Sequence, residues 1–204
     1  MGSAITKVNE KLKTDLGSRN ILALPKVVKV VINVGIGQAK TNPKFAEAVI
    51  TTLMAITGQK PAVRISRKAI SGFKIREGEK VGMMVTLRGK KMHDFIIKLA
   101  NIVLPRMRDF RGLKIVGFGK SGNFTLGISE QIIFPEISHE KAEIIHGMSI
   151  SIKTTAKNPL EGQKLLEAWG LPFEKPPSTT LPRADSGQVR ISQDKASKKD
   201  KLNG

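Results

Sequence analysis

Few groups in this sequence are spaced for covalent or metal chemistry. His139 and His146 lie seven apart around Glu140 and Glu143, which would bring both imidazoles to one face of a helix expected over residues 138–145, if it ran on to His146. Two ring nitrogens begin a zinc site, but the spacing is not HExxH, no further ligand stands nearby and there is no cysteine to supply a thiolate. The run VGIGQAK at 34–40 starts like a phosphate-cradling GxGxxG turn, yet Lys40 occupies the third glycine position and no Gly-Lys followed by Ser or Thr appears. A tight turn out of a strand is its expected role, with a nucleotide-dependent enzyme as the rival reading. His93 stands alone on a helix, and no Ser, His and Asp arrangement, nucleophile elbow or carboxylate pair is present. Neither an enzyme nor a metal or cofactor is expected.

The chemistry left is that of cations meeting phosphate. Between two strand-like pieces, 62–66 and 81–88, a long segment carries Arg67, Lys68, Lys74, Arg76 and Lys80 together with Gly72 and Gly78. It is too long for a hairpin turn and too basic for a core, and loops of that length are usually functional or disordered. A second basic stretch, 106–123, sets Arg106, Arg108, Arg111, Lys114 and Lys120 among Gly112, Gly117, Gly119 and Gly122, a composition suited to an extended or mobile segment.

The elements that must position these cations follow from periodicity. Ile5, Val8, Leu12 and Leu16 predict an amphipathic first helix. Val28, Val30, Ile32 and Val34 predict a strand with an unbroken apolar face, and Lys29 and Asn33 flank Val31 on the other face. Asn42 and Pro43 open a helix with Phe45, Ala48, Val49, Leu53 and Ile56 inward, stopped by Gly58. Val63 and Ile65 alternate with Arg64 and Ser66; Val81, Met83, Val85 and Leu87 alternate with Gly82, Met84, Thr86 and Arg88. Met92, Phe95, Ile96, Leu99, Ile102 and Val103 mark a helix ended by Pro105. Phe124, Leu126 and Ile128 form another strand, 131–134 a short one, and Met148, Ile150 and Ile152 alternate with Ser149, Ser151 and Lys153. Asn158, Pro159 and Glu161 cap the last helix.

The expected fold is α+β: a mostly antiparallel sheet with helices packed on one face, the other face open for RNA, and long basic loops. Residues 1–23 form a lead-in helix, 24–175 a single domain and 176–204 a basic tail expected to be disordered. Thirty-five Lys and Arg against seventeen Asp and Glu give a net charge of +18, which favours a polyanionic partner. No apolar run approaches the roughly 20 residues of a membrane span, and a membrane partner is not expected. With no tyrosine and one tryptophan, stacking of unpaired bases is disfavoured against shape, phosphate and 2′-hydroxyl contacts to folded RNA.

Several long motifs then occur in order: ITGQKP at 56–61, RKAISGFKIREGEKVG at 67–82, LRG at 87–89, LPRMRDFRGL at 104–113 and EQIIFPEI at 130–137. Over about 24–173 the chain closely resembles the ribosomal protein L five family, bacterial-type proteins of the large subunit that bind 5S rRNA. The first helix lacks the aromatic residues usual in that family, and the tail lies beyond the family's normal end. The resemblance implies a structural protein of the cytoplasmic ribosome that attaches 5S rRNA to the central protuberance, touches large-subunit rRNA and neighbouring large-subunit proteins, contacts P-site tRNA and bridges to a small-subunit protein. It places Lys29, Asn33, Gly35, Gln38, Arg64, Ser66, Arg67, Lys68, Arg88 and Lys153 on the rRNA side. Gly72, Phe73, Lys74, Arg76 and Lys80 then face tRNA, and Arg108, Arg111 and Lys114 are candidates for the subunit bridge. A free-standing RNA-binding or assembly factor would share the same charge and sheet.

Overall fold

Strand β1, Val27–Gly35, is the axis of the molecule. In the computed structural model, which describes residues 2–17, 20–37, 43–108, 110–137 and 144–174, it lies between β3, Lys80–Leu87, and β5, Met148–Thr154. Strand β2, Ala62–Ile65, and strand β4, Phe124–Ile128, form the edges, giving the order β2-β3-β1-β5-β4 with every pair antiparallel.

The apolar parity of each inner strand builds one core. Val30, Ile32 and Val34 of β1, Met83, Val85 and Leu87 of β3, and Ile150 and Ile152 of β5 are buried against α2, Pro43–Thr57, and α3, Gly89–Lys98. Each such side chain withdrawn from water contributes about 1.5–3 kcal/mol before entropy is charged. Helix α1, Gly2–Leu16, packs separately: Val8 and Leu12 meet Leu24 and Leu165 of α4, Pro159–Ala168. No helix among the described residues is long and apolar enough to cross a membrane.

Four local expectations are corrected. Val28 is exposed, because a bulge between Val27 and Lys29 breaks the alternation and turns Val27 toward both hydrophobic clusters instead. Val63 and Ile65 are 41% and 60% exposed, since β2 is an edge strand whose apolar side is left largely uncovered. Ile102 is exposed as well: a π turn over Leu99–Val103 inserts a residue into the helical period and brings Ala100 and Leu104 inward in its place. Residues 131–133 form a 3₁₀ turn rather than a strand. That turn buries Gln131, whose Nε2 donates to the Ile144 carbonyl at 2.8 Å and whose Oε1 accepts from the His146 backbone N–H at 2.7 Å.

Two expected caps come out differently. Asn158 makes no side-chain cap, and Glu161 Oε2 accepts from the backbone N–H of Lys157, one residue before the usual capping-box donor. Asn42, Lys40, His139, most of the expected helix over 138–145 and the tail 176–204 lie outside the described residues.

His146 is buried beside Phe45, with ring centroids 6.0 Å apart. Burial holds its pKa below the ordinary 6.5, an effect partly offset by the Ile144 carbonyl. The folded protein therefore keeps His146 neutral where the unfolded chain takes up a proton, so stability is full above pH 6.5 and is lost as the pH falls below it toward the lowered value. The urea midpoint should drop through that window, and His146→Phe should flatten the drop; an unchanged slope in the variant would rule His146 out as its source.

Candidate nucleic-acid interface

Strand alternation that buries one parity of the sheet delivers the other parity as a set. On β1 that set is Lys29, Val31, Asn33 and Gly35; their neighbours on β3 include Thr86 across from Val31, Met84 from Asn33 and Gly82 from Gly35. On β5, Lys153 stands across from Lys29, Ser151 from Val31 and Ser149 from Asn33. Arg64 of β2 lies opposite Gly82, and Thr125 of β4 lies opposite Ser151, with their hydroxyls 3.2 Å apart. Asn33, Arg64, Thr125 and Lys153 are exposed, and Lys29, Thr86, Ser149 and Ser151 half-buried.

The electrostatics of this face are one-sided. Among these cross-strand residues there is no aspartate or glutamate, and Lys29 and Lys153 form a directly opposed pair. Like charges directly opposite on a sheet are destabilising, so the pair is held against its own repulsion. Arg64 has only a weak contact, its guanidinium nitrogen 3.7 Å from the Met84 sulfur. The face therefore offers cations and hydroxyls with no carboxylate among these residues to neutralise them.

The expected sites divide by location. Lys29, Asn33, Arg64 and Lys153 come together on the sheet, with Gly35 at the end of β1. Arg88 is not on the sheet; it precedes α3 and is exposed. Gln38 lies outside the described residues. Ser66, Arg67 and Lys68 form the root of the segment joining β2 to β3, where the Ser66 hydroxyl donates to the Lys68 carbonyl at 2.7 Å.

That segment, 66–79, is more ordered than a free loop. Ser66 and Glu79 continue the ladder (Ser66 N–H to Glu79 carbonyl, 2.8 Å), and Ile70 and Ile75 exchange both backbone hydrogen bonds, at 2.9 and 3.1 Å. The result is a long irregular hairpin with Ser71, Gly72 and Phe73 in a 3₁₀ turn and Lys74 in the left-handed region at φ 52°. Phe73 is 75% exposed at its tip, close in sequence to Lys74 and Arg76, while Lys80 begins β3. The chain is poor in aromatics, yet this one ring is largely exposed to solvent.

Arg108, Arg111 and Lys114 are exposed along the segment after α3. Instead of being loose, this segment is tied to the end of the described chain: the Leu113 N–H donates to Pro172 and the Glu174 N–H to Leu113, at 2.8 and 3.0 Å. Phe118, Phe124 and Phe173 pack together behind it. Thr125 was missed by sequence reasoning, although the alternation of Phe124, Leu126 and Ile128 already assigned it to the polar face.

Comparison with known proteins agrees with this architecture. The family model described as Ribosomal protein L5 matches residues 20–76, and the model for the C-terminus of the same ribosomal family matches 80–173. The large ribosomal subunit protein uL5 of Microcystis aeruginosa is 53% identical over 163 residues, covering 80% of this chain and 91% of that protein. Its namesake in Synechococcus sp. (strain RCC307) is 52% identical over 166 residues, 81% of this chain and 93% of that protein. The Mesoplasma florum uL5 is 48% identical over 169 residues, with 83% and 94% covered. Matched through both halves of its sheet and along most of its relatives' length, the chain belongs to the ribosomal protein L5 family of structural, non-enzymatic ribosome components.

Proposed function

We propose that this ribosomal protein holds 5S rRNA in the large subunit with the polar face of its sheet together with Arg67, Lys68 and Arg88, reaches P-site tRNA with the 71–82 stretch that forms the tip of the hairpin, and meets a small-subunit protein through Arg108, Arg111 and Lys114. The observation that carries the RNA reading is the opposed Lys29 and Lys153 on a face with no carboxylate among its described cross-strand residues. Phosphate oxygens between the two ammonium groups would turn a repulsive pair into two charge-assisted contacts. A rigid sheet fixes which phosphates each cation reaches, so recognition follows the shape of the folded RNA. Exposed Phe73 adds a stacking surface to the hairpin's cations.

Titration of the purified protein against 5S rRNA, with an unrelated folded RNA of equal length as competitor, tests this. Lys29→Ala and Arg64→Ala should each weaken 5S rRNA binding by about 1 kcal/mol. Lys74→Ala should leave it nearly unchanged and impair tRNA contact. An equal loss from the hairpin variant would remove the division of labour, and equal affinity for both RNAs would remove 5S recognition. A free-standing assembly factor would fail to co-sediment stoichiometrically with large subunits.

A further inference from the structure

Beside edge strand β4 lies a groove of about 460 Å³, walled on the far side by Met107, Arg108 and residues 110–117. Its rim carries Arg108, Arg111 and Lys114, and no carboxylate contributes to its lining among the described residues. Its lining also has an apolar part: Phe110 and Leu126 are half-buried, and Val116 stands at the mouth, 92% exposed. An RNA backbone would use the cations and gain nothing from Val116, Phe110 and Leu126. A peptide alternating acidic and apolar residues would use both.

The edge supplies the third element of recognition. A side chain on Gly117 would come within 2.7 Å of the Thr125 carbonyl oxygen, so that carbonyl points out of the sheet toward the groove wall. Strand alternation gives Gly127 the same outward direction for its N–H and C=O. There the 115–117 turn has already passed, and no described segment pairs with Gly127 on that side. The wall is preorganised by the Leu113 ladder to Pro172 and Glu174 and by the phenylalanine cluster, so binding need not order it.

We infer that this groove takes an extended acidic segment of a protein partner, which adds as a short strand at Gly127 and sets its carboxylates against Arg108, Arg111 and Lys114. The inference rests on reading these cations as protein-facing, and it names the chemistry of the segment they meet. The full chain would be titrated at near-physiological salt with a labelled nonapeptide alternating Asp or Glu with Val, with its lysine-for-acid counterpart, and with a uridine nonamer.

The acidic peptide should bind saturably, slow hydrogen exchange at the Gly127 amide, and lose affinity at least tenfold in Arg111→Glu and in Gly127→Pro. Proline is tolerated where an edge N–H faces away from its sheet, so an unchanged unfolding midpoint would show that Gly127→Pro still folds. No acidic-peptide binding, equal binding by the lysine peptide, or displacement by the uridine nonamer would overturn the inference. Peptide binding in the wild type, combined with normal subunit association in Arg111→Glu, would keep the groove and overturn the bridge reading alone.

Discussion

Replacing Gly162 by alanine is expected to destabilise the protein by about 2 kcal/mol, although removing a glycine from a helix interior ordinarily gains up to about 1 kcal/mol. A Cβ at this position would lie 2.5 Å from the Gly122 carbonyl oxygen and 3.1 Å from its carbon and Cα. All three are backbone atoms, so no rotamer change relieves the clash. Gly122 cannot retreat easily: it sits at φ +68°, and the space on its own Cβ side is taken by Ala156 and the Asn158 carbonyl. Helix α4 would have to lift, and Leu165 would loosen from Val8 and Leu12 of α1. Urea denaturation measures the effect as a lower midpoint at constant slope. A midpoint equal to or above the wild type would show that α4 is not seated through this glycine pair.

Affinity for 5S rRNA should fall about a thousandfold between about 50 and 200 mM monovalent salt. On the proposed reading Lys29, Arg64, Arg67, Lys68, Arg88 and Lys153 offer six cations to phosphate, and each neutralised phosphate of duplex DNA contributes about −0.9 to the slope of log K against log salt. Roughly the same release from folded RNA gives a slope near −5, which a fourfold salt change converts to about three decades. Removing Lys29 and Lys153 together should reduce that slope by about two. Binding isotherms across the salt range decide it, and an unchanged slope in the double variant would mean that the opposed lysines do not touch phosphate.

The sheet and its polar face were legible because β1 from Lys29 onward, β2, β3, β4 and β5 alternate, and alternation assigns both faces at once. Lys29, Asn33, Arg64 and Lys153 were found that way. Legibility failed where a residue was added to a regular period. The bulge at Val28 replaces one inward side chain by Val27 and the π turn at Leu99–Val103 replaces Ile102 by Ala100 and Leu104, and no composition signal marks either insertion. Edge position is equally hidden: Val63 and Ile65 alternate as inner-strand residues do, and their exposure follows from strand order, which a local pattern does not contain. The ordering of 66–79 rests on Ile70 pairing with Ile75 across a left-handed Lys74, a conformation sequence would assign to glycine before lysine. The tether of Leu113 to Pro172 and Glu174 joins segments too far apart in the chain for periodicity to connect them.

The strand order also has a consequence for synthesis. Strand β1 pairs first with β3, completed at Leu87, and then with β5, which begins at Met148. About sixty residues separate the two events, or roughly 3–12 s of elongation at about 5–20 residues per second. Throughout that interval the most apolar strand of the nascent chain holds one satisfied edge and one open edge, the arrangement most prone to pairing with another chain. Arrival of β5, with its own lysine opposite Lys29, closes that edge and completes the cationic face in the same step.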